Sequence, residues 1–284
     1  MKTISEVEPQ GAIGTNGNSA SVTREVPKIQ ANLKRLGIQW TLRGSRALGL
    51  KTVRHQLACG LSMILDTHDL LGQRLLQEET FEPAVRLEFL RHAARDRNIL
   101  DIGANIGYYT LLGGSLISGQ NQVFAFEPQA HVVEKLRRNI RINELTNVSV
   151  FPFALAESPG VSRFFVPEEG SEGHGSLHDN GRFAVKETVS VETRRLDDVI
   201  VELGEPDIGL IKMDVEGAEL KILQGAPGLL QRKTKPVLIF EAAEQNCRPF
   251  GSGVFDLLRY IHNFGYRLRQ IDHEDWIAEP EQSS

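Results

Sequence analysis

Residues 98–128, NILDIGANIGYYTLLGGSLISGQNQVFAFEP, predict the folding unit on which the rest of this chain depends. The apolar run at residues 98–100 is typical of a buried strand, and a second run at residues 123–126 follows a segment with helical character. Between the two runs, Gly103 and Gly107 allow the backbone to turn sharply and to approach a ligand closely. The order of strand, glycine-bearing turn, helix and strand predicts a βαβ unit that binds a nucleoside.

The acids that flank this unit indicate which nucleoside it binds. Glu127 follows the second strand, where a carboxylate can accept both hydrogen bonds of a ribose diol. A nicotinamide or flavin site needs G-x-G-x-x-G, whereas this chain reads D-x-G-x-N-x-G from Asp101 onward. Asp101 would repel a pyrophosphate but suits the ammonium group of S-adenosylmethionine, so the turn favours that cofactor. The alternative is that Asp101 only caps the turn and that Glu127 is a solvated acid.

The bulk composition is that of an ordinary soluble protein. The chain has 284 residues, of which 40% are hydrophobic and 24% charged, and its net charge is -5. An acidic chain is a poor match for nucleic acid, which binds basic surfaces. No apolar run approaches the roughly 18 residues of a membrane span, and the start of the chain lacks an apolar signal-peptide core. Because Cys59 and Cys247 are far apart, we expect both to be reduced thiols in a cytoplasmic protein. The net charge and the lack of a long apolar run lead us to expect no nucleic-acid partner and no membrane partner.

The part of the chain before the βαβ unit is predicted to be an appendage. Residues 1–27 have few large apolar groups and predict a disordered tail. Residues 28–96 predict a mostly helical extension that includes a hairpin. Its first element is a short helix that starts at Ile29 and that Gly37 would end. Residues 61–76 are interpreted as two short strands, and a further helix is predicted to start near Pro83.

Residues 97–284 alternate strands and helices, which predicts one α/β domain with a doubly wound parallel sheet. A third strand is predicted at residues 148–156, with Phe153 and Ala154 near its end. Later strands are predicted at residues 208–213, 237–240 and 266–271.

A long loop interrupts this alternation. Two strand-like runs, at residues 163–166 and 188–193, flank a stretch rich in Gly, Ser, Asp and His. A loop of that length inside a compact domain is usually functional or disordered. His174 and His178 lie in it, and either could act as a general base if the loop folds over the active face.

Acids that could do chemistry follow the later strands. In an open α/β sheet the ligand lies at the carboxyl ends of the strands, where Asp214, Glu216 and Glu241 are placed. Asp214 and Glu216 are candidates for the general base, and together with Glu241 they could form a carboxylate site for Mg²⁺. The alternative is that Glu216 and Glu219 only stabilise the N-terminus of the following helix.

Several short motifs occur in a fixed order along this chain. They are DIGANIGYYT at residues 101–110, FEP at 126–128, AL at 154–155, LIKMDVEGAE at 210–219 and FE at 240–241. In this order and approximate spacing they resemble the FkbM family of S-adenosylmethionine-dependent methyltransferases, over roughly residues 61–270. The FEP of residues 81–83 resembles a further motif of that family. DVEGAE is the most discriminating of these motifs, because D-x-G-x-N-x-G is shared by many methyltransferases.

The resemblance implies a Rossmann-like class I methyltransferase sheet of seven strands, the last one antiparallel. It also implies methyl transfer to a hydroxyl oxygen of a sugar, polyketide or other small secondary metabolite. By this likeness the methionine end of the cofactor would be lined by Asp101, Gly103, Asn105 and Gly107, the ribose held by Glu127, and the adenine bordered by Phe153 and Ala154. Two other classes stay open: a non-catalytic cofactor-binding module and a nicotinamide-dependent oxidoreductase.

Overall fold

The computed structural model describes residues 51–281, apart from Glu79, Ala94, Arg95, Glu169 and Asn180. The tail predicted at residues 1–27 and the helix predicted to start at Ile29 therefore lie outside the described residues. None of the described helices is long and apolar enough to cross a membrane.

The strands of the described chain form one large sheet and two small ones. In chain order they are β1 (Thr52–Gln56), β2 (Ser62–Asp66), β3 (Asn98–Ile102), β4 (Val123–Phe126), β5 (Val148–Phe151), β6 (Ala154–Leu155), β7 (Gly160–Pro167), β8 (Val185–Arg194), β9 (Ile208–Met213), β10 (Val237–Glu241), β11 (Tyr266–Gln270) and β12 (Asp275–Pro280). Within the described residues, the large sheet has seven strands in the order β11-β12-β10-β9-β3-β4-β5. β12 runs antiparallel to both of its neighbours, and the other pairings among β3, β4, β5, β9 and β10 are parallel. The predicted class I sheet with an antiparallel last strand is confirmed.

Helices cover both faces of the large sheet. In chain order the described α-helices are α1 (Leu70–Gln77), α2 (Pro83–His92), α3 (Tyr108–Leu116), α4 (Ala130–Ile142), α5 (Leu196–Glu202), α6 (Glu219–Gln224), α7 (Pro227–Leu230), α8 (Glu244–Cys247) and α9 (Val254–Asn263). Every residue of β3, β4 and β9 is buried, because side chains from these strands enter an apolar core on each face. The sheet is therefore doubly wound, as predicted.

The single strand predicted at residues 148–156 is wrong, because the chain changes sheets inside it. β5 ends at Phe151, and β6 pairs with β8 in a separate three-stranded sheet. Pro152, which lies between the two strands, has no N–H with which to continue the ladder of β5. The two strand-like runs that flank the long loop are confirmed as the antiparallel hairpin of β7 and β8.

The described part of the N-terminal extension mixes a hairpin with two helices. β1 and β2 form the hairpin, but the second strand predicted within residues 61–76 is wrong because that segment forms α1. The Asp69 carboxylate accepts a hydrogen bond of 3.0 Å from the Gly72 amide and so caps the helix, while Leu75 and Leu76 are buried. The helix predicted near Pro83 is confirmed as α2, which packs on β9 and β10.

Candidate active site

Two neighbouring cavities open at the carboxyl ends of β3, β4 and β9. The first, here called the narrow cleft, is lined by residues that include Glu127, Phe153, Ala154, Leu177 and Ile222. The second, here called the wide cavity, has a volume of about 540 Å³ and is lined by residues that include Glu82, Asp101, Tyr109, His174, Arg182, Lys212, Glu216, Glu241 and Asp275. Gly103, Asn105, Gly173 and Asp214 line both cavities. A ligand that occupies one cavity can therefore extend into the other.

Glu127 lies at the end of β4 with its carboxylate held in a fixed orientation. Its Oε2 atom accepts a hydrogen bond of 3.1 Å from the Asn105 amide, and its Oε1 atom accepts one of 2.9 Å from the Gln129 amide. Burial raises the pKa of Glu127 to about 7, although these amide hydrogen bonds favour the ionised form. The Gln129 side chain also hydrogen-bonds this carboxylate. Because an ionised carboxylate has about four acceptor positions, it can still accept a hydrogen bond from a diol.

The turn after β3 has two positive φ angles at positions where glycine avoids strain. Gly103 has a φ of +80°, and a Cβ atom placed on it would lie 1.9 Å from the carbonyl oxygen of Asp214. Gly107 has a φ of +100°, and its Cβ atom would lie 2.5 Å from Cδ1 of Leu136 on α4. Gly103 therefore lets two strand ends approach each other in the site. Gly107 lines neither cavity and serves the packing of α3 on α4.

Gly103→Ala is expected to lower the free energy of unfolding by about 3 kcal/mol or more, because a backbone clash adds to the strain of a positive φ. Gly119→Ala is the matched control: Gly119 also has a positive φ of +71°, but a Cβ atom there meets nothing within 4 Å. We expect a loss of only about 1 kcal/mol for this control. Urea denaturation of both variants measures the difference, and equal losses would contradict the close approach to Asp214.

Asp101 is fixed below the turn rather than exposed on it. Its side chain is buried, and its Oδ2 atom accepts a hydrogen bond from the Thr110 hydroxyl. Burial raises the pKa of Asp101 to about 6, whereas the hydrogen bond from Thr110 and the charge of Lys212 favour the ionised form. The carboxylate borders the wide cavity, where it can face a positively charged ligand group.

Of the acids predicted after β9, Asp214 is the most accessible. Its side chain is 42% exposed, and its Oδ2 atom lies 3.4 Å from the ammonium nitrogen of Lys212. It lines both cavities, so it lies where the contents of the two would meet.

Glu216 and Glu219 have different environments. Glu216 is buried, and its Oε2 atom accepts hydrogen bonds from Arg182 at 3.1 Å and from Asn246 at 2.9 Å. Burial raises its pKa to about 7, and the nearby charge of Asp214 adds to the shift. Glu219 accepts a hydrogen bond of 3.1 Å from the Val215 amide, which supports the capping interpretation for this residue.

The hypothesis of a Mg²⁺ site at Asp214 and Glu241 gains no support. Among the described residues, no group of three or more His, Cys, Asp or Glu side chains is arranged to hold a metal ion. The Glu241 carboxylate accepts a hydrogen bond of 3.1 Å from Asn246, and burial followed by the charges of neighbouring acids raises its pKa to about 9.

The two histidines of the long loop point to different surroundings. His174 lines the wide cavity and packs against Phe183 with its ring tilted by 39° and 4.4 Å between ring centroids. Its Nδ1 atom lies 3.4 Å from the carbonyl oxygen of Ser171, which can only accept a hydrogen bond, so Nδ1 carries the proton and Nε2 keeps its lone pair. Burial lowers the pKa of His174 and favours this neutral form. His178 packs instead on Phe250 and lines neither cavity.

Sequence reasoning missed several residues of the wide cavity. Lys212 was signalled by its position, because it is a charged residue inside the apolar strand IGLIKM. Glu82 lies in the FEP motif of the extension, and its carboxylate accepts a hydrogen bond of 3.0 Å from the Tyr109 hydroxyl. Arg182 and Asp275 carried no signal, since only the tertiary fold brings them to the cavity.

Comparison with known proteins places the chain among methyltransferases. The profile of a family described as the Methyltransferase FkbM domain matches residues 101–268. Methyltransferase sdnD of Sordaria araneosa is 34% identical in an alignment of 154 residues. That alignment covers 45% of this chain and 59% of sdnD. Hexuronic acid methyltransferase AglP of Haloferax volcanii is 31% identical over 153 residues, 53% of this chain and 58% of AglP. 2-O-methyltransferase NoeI of Sinorhizobium fredii is 32% identical over 152 residues, 48% of this chain and 60% of NoeI. The chain thus spans about three fifths of the length of these curated relatives.

Proposed function

Because this chain belongs to the FkbM family of methyltransferases, we propose that it transfers a methyl group from S-adenosylmethionine to a hydroxyl oxygen of a small molecule. Sugars are the first acceptor class to test, since two of the relatives carry the names hexuronic acid methyltransferase and 2-O-methyltransferase. A polyketide or another secondary metabolite would present the same kind of hydroxyl.

The observation that carries this proposal is the fixed carboxylate of Glu127 in the narrow cleft. Its orientation by two backbone amides suits the ribose diol, and the apolar side chains of Phe153 and Ala154 suit the adenine beside it. The methionine end would then extend over Gly103 and Asn105 toward Asp101, whose carboxylate suits an ammonium group. Gly107 would support this turn from behind.

The wide cavity would hold the acceptor. When bound, S-adenosylmethionine supplies a methyl group on a sulfonium, which is already a strong electrophile. The chain therefore has to align the acceptor oxygen and receive its proton. We assign proton acceptance to Nε2 of His174, because the Ser171 carbonyl keeps the proton of the neutral ring on Nδ1. Asp214, which borders both cavities, would orient the acceptor hydroxyl. Glu216 is held by Arg182 and would support the cavity wall.

We also propose that the N-terminal extension belongs to the active site. Glu82 of the extension lines the wide cavity together with residues of the domain at residues 97–284. Acceptor selectivity would then depend on both segments.

Titration calorimetry with S-adenosylmethionine and, separately, with NADH tests the cofactor. We expect micromolar binding of S-adenosylmethionine and no binding of NADH; the reverse preference would revive the oxidoreductase alternative. Methyl transfer from radiolabelled cofactor to a panel of p-nitrophenyl glycosides then tests the reaction. Cofactor binding without transfer to any hydroxyl acceptor would favour the non-catalytic alternative.

A further inference from the structure

Lys212 is a buried lysine at the edge of the wide cavity. Its side chain is 1% exposed, although the rest of β9 is apolar. The ammonium nitrogen lies 3.4 Å from Oδ2 of Asp214 and 5.2 Å from the centre of the Tyr109 ring. Burying an ammonium group is costly unless negative charges surround it, so the position needs an explanation.

Carboxylates from four separate segments line the wide cavity together with this ammonium group. Asp214, Glu82, Asp275 and Asp101 all interact with it electrostatically. Asp214 follows β9, and Glu82 precedes α2. Asp275 is the first residue of β12, and Asp101 belongs to β3. The ammonium group of Lys212 therefore attracts carboxylates of the extension, of β3 and of the last hairpin, all of which line the same cavity.

Glu82, one of these four carboxylates, has a strained backbone conformation. Its backbone has a φ of +43°, a left-handed conformation that is unfavourable for a residue other than glycine. It occupies the N-cap position of α2, yet its side chain does not cap the helix. The carboxylate turns toward the cavity instead and accepts the hydrogen bond from Tyr109. Backbone strain of this kind is typical of functional sites.

A charge at this position affects chemistry at the acceptor oxygen. As a hydroxyl loses its proton during methyl transfer, its oxygen becomes more negative, and a cavity lined only by carboxylates would oppose that change. Metal-dependent enzymes supply the compensating positive charge with a bound cation. Here the ammonium group stands among the carboxylates that would otherwise attract such a cation.

Arg74 and Arg182 also line the wide cavity, but their side chains are 53% and 31% exposed, whereas Lys212 is buried. We propose that Lys212 is the buried resident cation of the wide cavity: a positioning residue that holds Asp214 toward the acceptor and offsets the carboxylates, so that methyl transfer proceeds without a divalent metal. This inference rests on the proposed function of the site. Lys212 belongs neither to the predicted cofactor-binding residues nor to the predicted metal ligands, and the proposal gives it a role in the reaction.

Lys212→Met tests the proposal, because methionine keeps an unbranched side chain that is one atom shorter and removes its charge. On the best p-nitrophenyl glycoside of the panel, we expect kcat to fall about 100-fold, while the Kd of S-adenosylmethionine stays within threefold. Lys212→Arg should restore at least a tenth of the wild-type kcat. The control is Lys221→Met, which removes a lysine paired with Glu157 outside both cavities and should leave kcat unchanged.

Acceptor acidity separates an electrostatic role from a structural one. A fluorine next to the reacting hydroxyl makes that hydroxyl more acidic, so the kcat deficit of Lys212→Met should shrink at least threefold with a fluorinated glycoside. A deficit that is the same for both acceptors, or that is accompanied by lost cofactor binding, would overturn the proposal.

A second measurement uses the wild-type enzyme and does not depend on folding of the variant. We expect kcat to change by less than twofold after treatment with EDTA or addition of Mg²⁺. Loss of activity in EDTA with recovery in Mg²⁺ would overturn the role of Lys212 as the resident cation. Failure of the wild-type protein to bind S-adenosylmethionine would instead refute the proposed function itself.

Discussion

Glu127→Ala is expected to weaken binding of S-adenosylmethionine at least about 100-fold. The variant loses a hydrogen bond from the ribose diol to a charged acceptor, which is worth about 1.5 kcal/mol or more. It also releases the amides of Asn105 and Gln129, which the carboxylate now holds in place. Titration calorimetry at pH 8, above the pKa of about 7 for Glu127, measures the loss with the carboxylate ionised.

The control for this variant is Glu134→Ala. Glu134 lies on α4, its side chain is 74% exposed, and it pairs with Arg137 at the surface. Its removal takes away the same formal charge without touching either cavity, so the Kd should change less than twofold. A loss of tenfold or less for Glu127→Ala, in a protein that still unfolds cooperatively, would contradict ribose recognition by Glu127.

His174→Ala is expected to lower kcat about 1,000-fold and to leave the Kd of S-adenosylmethionine unchanged, because general-base catalysis typically contributes a factor of this order. Burial lowers the pKa of His174 from its usual value of 6.5, so the wild-type kcat should stay level as the pH falls to that value and decline only below it. Steady-state kinetics between pH 5 and 8 measure both effects.

His178→Ala is the matched control, since His178 lies in the same loop but packs on Phe250 outside both cavities. Its kcat should remain within threefold of wild type. Equal losses for the two histidines would indicate that the loop needs its aromatic packing rather than a base. In that case Asp214 would become the leading candidate for the base.

The central βαβ unit could be predicted because its signals are local. Apolar runs, glycines of positive φ and an acid after β4 lie within one stretch, and the structure places Glu127 in the narrow cleft as that pattern suggests. A strand was predicted where α1 forms, because LLGQRLLQ at residues 70–77 is too short for its periodicity to separate helix from strand. Capping by Asp69, which the sequence does contain, decides the matter.

The floor of the wide cavity could not be predicted in the same way. Lys212, Glu82 and Asp275 are far apart in the chain. The pairing of β9, β10 and β12 brings Lys212 and Asp275 together, and the packing of α2 on β9 and β10 adds Glu82. The hydrogen bond by which Thr110 on α3 holds the carboxylate of Asp101 at the border of the wide cavity was also not indicated by the sequence. Contacts of this kind depend on tertiary packing, which no local pattern records.

The hairpin of β1 and β2 bears on where this protein could be shortened. The backbone amide of Ser62 donates a hydrogen bond of 2.8 Å to the side chain of Asn143, the C-cap residue of α4. The amide of Ile64 donates one of 2.7 Å to the side chain of Asn139 on α4. A fragment cut at the first residue of the family match would leave those two asparagines without these partners and would uncover the apolar surface beneath Phe89. We therefore expect a fragment that begins at residue 101 to unfold at a lower urea concentration than a chain that keeps the hairpin.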